Sequence, residues 1–169
     1  REAIGHRVRA AEAAARLYEV SEALAQYRHA LDDGADGAEA FRIHAARVDH
    51  LRNRGDRAGW EAALAAMQAL EPQLTDPAHA VDLAVRRAVH CFETDRYAEA
   101  LAVAEQTLQR LLGRIDPLDE AKLMLEMGAA LKGLGRLDEA QARLQEALER
   151  FRGRLPLKHA NAAFWLSIV

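Results

Sequence analysis

The chain has 169 residues, of which 50% are hydrophobic but only 5% aromatic, and its formal net charge is −3. An alanine- and leucine-rich chain favours closely packed helices over strands, and the small negative charge argues against a general nucleic-acid or membrane-surface role. The single cysteine, Cys91, excludes an intramolecular disulfide framework and favours a reducing compartment. No stretch reaches the roughly 20 apolar residues of a membrane span, and no signal-type apolar run follows the start of the chain. We therefore expect a soluble, cytoplasmic protein.

Amphipathic patterning, together with helix start and stop signals, predicts nine helices. In chain order they are expected near residues 3–17, 20–32, 37–54, 57–71, 77–94, 97–112, 117–134, 137–152 and 157–168. Residues 71–77 form the longest clear connector, which we interpret as a junction between repeats rather than between domains. The expected fold class is all-α.

Three predicted helices begin after aspartates that stand forty residues apart, Asp36, Asp76 and Asp116. Asp36 and Glu39 form an Asp-x-x-Glu pattern that resembles a capping box, in which the aspartate accepts from an early backbone N–H. In the two later copies a proline follows the aspartate, at the first helical position, where its missing N–H costs nothing. Each aspartate is therefore expected to open the first helix of a repeat.

The turns and core positions keep the same forty-residue spacing. The equivalent turn residues are Gly55, Asp95 and Gly135, and the equivalent apolar positions are Leu51, Cys91 and Leu131. Self-similarity at a fixed period predicts units that bury their apolar sides by stacking on one another. We expect a single domain over residues 1–169, with helical hairpins at about 1–35, 36–75, 76–115 and 116–155 and an extra or capping helix over 156–169.

The two ends suggest a piece of a larger protein. The chain starts at Arg1 rather than methionine, and residues 162–169 are strongly apolar, whereas a natural array usually ends in a polar cap. Phe164 and Trp165 are adjacent, so at most one of them can face the preceding hairpin directly. The other is a candidate contact with further repeats or with a second copy in a homodimer.

Short segments resemble the tetratricopeptide repeat family. Residues 22–31, 96–101 and 136–140 look like the start of that family's second helix. With Ala140 at the family's small-residue position, the other signature positions are filled by Gly128, Leu131, Leu144 and Ala147. Thr107 and Trp60 depart from the pattern, and the forty-residue spacing exceeds the family's usual period of about 34.

The resemblance implies a right-handed superhelix of antiparallel hairpins that binds proteins or peptides and is not an enzyme. Extended repeats of this kind resemble those of large bacterial ATP-dependent transcriptional regulators and related signalling ATPases. An alternative within that context is effector sensing, in which a small molecule or peptide controls an attached ATPase or DNA-binding module.

In the family, the first helices of successive hairpins line a concave groove. The resemblance places these residues there: Arg42, Asp49, Arg52, Asn53, Asp82, Val85, Val89, Phe92, Glu93, Lys122, Leu125, Ala129 and Lys132. A mixture of cations, anions and an aromatic ring suits a protein or peptide surface with an apolar anchor and a charged rim. The simpler interpretation, a solvated helix position, stays open for each of them.

The histidines and the cysteine do not predict a metal or catalytic site. His90 precedes Cys91, but adjacent side chains on a helix point about 100° apart. Cys91 occupies the same repeat position as Leu51 and Leu131, which favours a buried structural thiol. His44 and His50 are six apart and lack the i, i+4 spacing of a helical zinc site.

Two further patterns have structural interpretations. Residues 128–135 contain glycines and Lys132 but not the Walker order, so an ATPase module would have to lie elsewhere. Arg150, Arg152 and Arg154 end a predicted helix, where cations complement the dipole, rather than indicating a nucleic-acid contact. No cofactor, metal, membrane or direct nucleic-acid partner is expected.

Overall fold

The computed structural model describes residues 2–154 and 156–168, and within that part of the chain all regular structure is helical. The helices are α1 (Glu2–Arg16), α2 (Val20–Asp32), α3 (Gly37–Arg54), α4 (Arg57–Leu70), α5 (Pro77–Glu93), α6 (Tyr97–Leu111), α7 (Pro117–Gly133), α8 (Leu137–Phe151) and α9 (Pro156–Ser167). A short 3₁₀ turn, Glu71–Gln73, follows α4. The predicted helices are confirmed, and every helix end lies within one residue of its predicted position.

Two of the three spaced aspartates cap their helices as predicted. The Asp76 carboxylate accepts from the backbone N–H of Ala78 at 2.9 Å, and that of Asp116 accepts from Leu118 at 2.7 Å. Asp36 also occupies the N-cap position, but its side chain makes no capping hydrogen bond, so the predicted capping box is wrong. The residue after it, Gly37, has φ +50°, outside the right-handed helical range, which turns the first N–H groups away from the carboxylate.

The equivalent turn residues share one backbone conformation. Gly55, Asp95 and Gly135 have φ values of +74°, +58° and +74°. This left-handed geometry lets each first helix end and the second begin within two or three residues. The Asp95 carboxylate also accepts from the Tyr97 hydroxyl at 2.6 Å, a local bond that a glycine could not make.

The chain divides into two compact units, Arg1–Thr75 and Asp76–Val169. In the first unit, α1 pairs with α2, α3 pairs with α4, and α2 packs against α3. One core cluster there contains Ile4, Ala11, Ala14, Ala23, Tyr27, Ala30 and Ile43. Its alanines let helix backbones approach closely, and Trp60, at the departure from the repeat pattern, is buried as well.

In the second unit, α5 pairs with α6 and α7 pairs with α8, while α7 also packs against both helices of the preceding hairpin. Helix α9 packs against α8 and α7. Large side chains such as Leu144 and Phe151 are fully buried, and each contributes about 1.5–3 kcal/mol by leaving water.

The small-residue positions of the last hairpin lie at a close helix approach. A Cβ placed on Gly128 of α7 would lie 2.6 Å from Cγ of Leu144 on α8. The equivalent core positions Leu51, Cys91 and Leu131 are all buried. The burial predicted for the Cys91 side chain is thus confirmed.

Candidate interaction surfaces

The predicted groove residues fall into both units. Those of α3 belong to the first unit, and those of α5 and α7 belong to the second. We describe each set within its own unit.

In the second unit, α5 exposes part of an apolar stripe. Val85, Val89 and Phe92 are half-buried, and the spacing of three and four residues puts them on one face of the helix. Asp82 precedes them on the same face and pairs with Arg86 at 2.9 Å, while Glu93 is exposed. Helix α5 therefore combines apolar side chains with charges at its rim.

Trp165 of α9 completes this stripe. Its ring lies edge-on to that of Phe92, with 5.3 Å between centroids, and the Lys132 ammonium lies 5.4 Å from the Trp165 ring centroid. Phe164 is 59% exposed, so only one of the two adjacent aromatics faces the preceding hairpins, as expected. We call Val85, Val89, Phe92, Lys132 and Trp165 the aromatic face.

Two predicted groove residues of α7 are not on a surface. Leu125 is 3% exposed and belongs to a core cluster with Ala162 of α9, and Ala129 is also buried. The packing of α9 against α7 and α8 explains the burial of Leu125, which the sequence prediction left open to a partner. Lys122 is half-buried and bonds to Asp119 at 2.6 Å, so on α7 only Lys132 joins the aromatic face.

In the first unit, the four predicted groove residues of α3 are all exposed: Arg42, Asp49, Arg52 and Asn53. Arg42 lines a cleft of about 140 Å³. The walls come from α1, α2 and α3, and the lining residues are Val8, Glu12, Tyr27, Glu39, Arg42, Ile43 and Ala46. We call it the α1–α3 cleft.

The chemistry of this cleft is an apolar floor with a charged rim. Val8, Ile43 and Ala46 supply aliphatic walls, and Tyr27 is only 5% exposed. The Tyr27 ring stacks with His50 at 6.0 Å. Burial raises the pKa of the Tyr27 hydroxyl, and the nearby carboxylates of Glu12 and Asp49 raise it further. Two carboxylates therefore lie near enough to the hydroxyl to disfavour its ionisation.

Of the residues that line the cleft, only Arg42 was predicted from the sequence as a binding residue; the others are Val8, Glu12, Tyr27, Glu39, Ile43 and Ala46. The repeat spacing contains a signal for one of them, because Glu12 stands forty residues before Arg52, as Arg52 does before Phe92. Extending the groove prediction to the first helix of the first hairpin would have found it. Tyr27 was identified only as part of a repeat signature, and sequence spacing alone does not place it in a cleft.

A wider depression of about 630 Å³ lies at the α1–α2 turn and the end of α3. It is lined by Tyr18, Glu19, Val20, Ser21, Glu22, Asn53 and Arg54. All of these except Val20 are exposed, so the depression has almost no buried wall that would enclose a ligand.

The cysteine and histidines have structural surroundings. Cys91 is 3% exposed, and burial raises the pKa of its thiol, which lowers the thiolate fraction that reactivity requires. His90 Nδ1 lies 2.9 Å from Arg96, and His44 Nδ1 lies 3.3 Å from Arg47. Among the described residues, no group of three or more metal-ligating side chains is placed to hold an ion.

Two arginines of the basic run at the end of α8 are paired within the chain. Arg150 pairs with Glu120 of α7 and with Glu146 at 2.8 Å, and Arg152 lies 3.1 Å from Glu149. The Arg150–Glu120 pair ties α8 to α7, which supports the structural interpretation of this arginine. None of the helices over the described ranges is long and apolar enough to cross a membrane.

Comparison with known proteins adds no assignment. No protein-family model matches the chain, and no curated protein matches it at a significant level.

Proposed function

We propose that this chain is a non-catalytic scaffold that binds a segment of a partner protein. In this proposal the helical hairpins form a right-handed, tetratricopeptide-like superhelix, and the first helices of the hairpins contact the partner. The protein acts in the cytoplasm as the interaction module of a larger bacterial transcriptional regulator or signalling ATPase, as the repeat resemblance implies.

The observation that supports binding most directly is the aromatic face. Phe92, Lys132 and Trp165 come from three different helices and meet at a partly exposed surface. Aromatic side chains, tryptophan above all, are enriched among the residues that contribute most of the binding energy at protein interfaces. Since packed helices hold these side chains in place before binding, little conformational entropy is lost when a partner docks.

Native mass spectrometry on the protein captured from the cells that express it tests this proposal. Lys132→Glu places a carboxylate beside the Trp165 ring, where the ring quadrupole disfavours an anion, and we expect a bound protein to be lost. Arg154→Glu makes the same charge change at an exposed position outside the aromatic face and is the control. Circular dichroism first establishes that both variants keep their helix content.

Loss of the same co-captured protein from the Lys132→Glu variant alone would support the proposal. Equal retention by both variants would contradict the assignment of the aromatic face. A small molecule retained by the wild-type chain and lost from the Lys132→Glu variant would instead support effector sensing.

A further inference from the structure

The α1–α3 cleft has the size of one amino-acid side chain. Cofactor and drug-sized ligands need cavities of roughly 300–1,000 Å³, whereas this cleft has about 140 Å³. Its aliphatic walls, Val8, Ile43 and Ala46, suit the methylene stem of a long side chain. A single inserted residue of a partner segment is therefore the ligand that fits.

The charges at the rim of the cleft have no partner within the described part of the chain. Some exposed charges pair along their own helices, as Arg96 does with Glu99 and Arg136 with Glu139. Glu12, Glu39 and Arg42 make no hydrogen bond or ion pair with any described residue, so they are available to a ligand. The lining contains two carboxylates and one guanidinium, so these three side chains together carry a net negative charge.

Tyr27 supplies a second, independent observation. Its side chain is 5% exposed and lines the cleft, yet within residues 2–154 and 156–168 its hydroxyl makes no hydrogen bond. The hydroxyl oxygen is not sealed from solvent, so water or a ligand group in the cleft can reach it. Tyr27 therefore presents, at the wall of the cleft, a hydroxyl that is available to a ligand entering it.

We infer that the α1–α3 cleft binds one lysine or arginine side chain of the partner segment. The ligand's stem lies on Val8, Ile43 and Ala46, its cationic head pairs with Glu12 and Glu39, and the Tyr27 hydroxyl accepts a hydrogen bond from it. Charge-assisted bonds of this kind are stronger than neutral ones, which gives the site its selectivity. The inference rests on the proposed function, because it names the side chain by which the partner is recognised.

A random peptide library displayed on phage tests the inference with the intact chain. Selected peptides are expected to share a lysine or arginine. Their dissociation constants are measured by fluorescence anisotropy. In the double variant that carries both Glu12→Gln and Glu39→Gln these constants should rise roughly 10- to 100-fold, since two charge-assisted bonds are lost. Tyr27→Phe removes only the hydroxyl and should weaken binding roughly 3- to 10-fold. Glu2→Gln on the same helix lies outside the cleft and should leave the affinity unchanged.

The outcomes separate the inference from the proposed function. Peptides without a shared cation, or peptides whose affinity the double variant does not change, would overturn the cleft assignment while leaving the scaffold function in place. Selected peptides that share an acidic residue and depend on Arg42 would overturn it too. A library that yields no binder to any surface of the chain would count against the scaffold function itself.

A single-residue probe provides a second measurement that does not depend on peptide context. N-acetylarginine amide, titrated into methyl-labelled protein, should shift the signals of Val8 and Ile43 saturably, with a dissociation constant of roughly millimolar order. N-acetylnorleucine amide has an aliphatic stem without the charge and is the control. Equal shifts from both probes would overturn the inference, because the rim carboxylates would then contribute no selectivity.

Discussion

Trp165 packs against Phe92 although the two residues belong to α9 and α5, with 5.3 Å between their ring centroids. Helix α9 also buries Ala162 completely, against α7 and α8. The position of α9 therefore depends on the large aromatic side chain of Trp165 together with aliphatic contacts of Ala162 and Leu166.

We predict that Trp165→Ala loosens α9 while Phe164→Ala does not. Removing the half-buried indole of Trp165 should cost about 2–3 kcal/mol of the free energy with which α9 docks. Removing the Phe164 ring should cost much less, because that side chain is already 59% exposed. Amide hydrogen exchange in residues 158–168 should accelerate roughly 30- to 100-fold in the first variant and by much less in the second. Equal acceleration in the two variants would mean that Trp165 does not anchor the helix.

Gly128→Ala should destabilise the second unit despite the higher helix propensity of alanine. The added Cβ would lie 2.6 Å and 2.7 Å from two atoms of Leu144, so the α7–α8 pair must separate or Leu144 must leave its rotamer. We expect a loss of about 1–3 kcal/mol in the free energy of unfolding, measured with urea.

Gly5→Ala is the matched control for that change. The nearest atom to its added Cβ is the end of the flexible Arg9 side chain, at 3.4 Å. Because the space is available, alanine should stabilise α1 by about 0.5–1 kcal/mol. A Gly128→Ala protein that is equally stabilised would contradict the close approach of the two helices.

The capping aspartates should differ in their contribution to stability. Asp116→Ala removes hydrogen bonds to the N–H groups of Leu118 and Asp119 and should cost about 1 kcal/mol. Asp36→Ala should cost far less, since the Asp36 side chain makes no capping bond. Thermal unfolding of the two variants checks this, and equal costs would show that Asp36 caps α3 in solution.

His44 should make the first unit less stable as the pH falls. Burial, followed by the charge of Arg47, lowers the pKa of His44 from 6.5 to about 4, and Arg47 lies within hydrogen-bond distance of the neutral imidazole. Between these two pKa values His44 is protonated in the unfolded chain but not in the folded chain. The free energy of unfolding therefore falls progressively as the pH is lowered from about 6.5 to about 4.

A ring-proton titration by nuclear magnetic resonance measures this directly. We expect a midpoint near pH 4 for His44 in the folded chain, and His44→Gln should flatten the dependence of unfolding free energy on pH over that window. A folded midpoint near 6.5 would mean that the imidazole is open to solvent.

The helical plan follows from local signals in the sequence. Pro77 and Pro117 start α5 and α7 because they lack an N–H that the first turn does not need. Gly55 and Gly135 adopt the left-handed conformation in the turns that follow α3 and α7. Burial of Cys91 followed from its equivalence to Leu51 and Leu131. These features depend on neighbours within a few residues or on the period alone.

The surfaces were harder to predict because they depend on packing between distant segments. Leu125 has the apolar character of a groove anchor, but α9 covers it. The contact between Trp165 and Phe92 does not follow the forty-residue period, and the α1–α3 cleft needs Tyr27 from a second helix between two first helices. A period identifies equivalent positions, whereas it does not tell which of them a neighbouring helix will cover.

The distribution of tryptophan makes the chain its own spectroscopic reporter. Of its two tryptophans, Trp60 lies in the first unit at 4% exposure and Trp165 lies half-buried in the second. Replacing either one by phenylalanine leaves a single emitter, so the unfolding of each unit can be followed separately by intrinsic fluorescence without an attached dye. The emission maximum and the intensity of Trp165 fluorescence would also change as a partner covers the aromatic face.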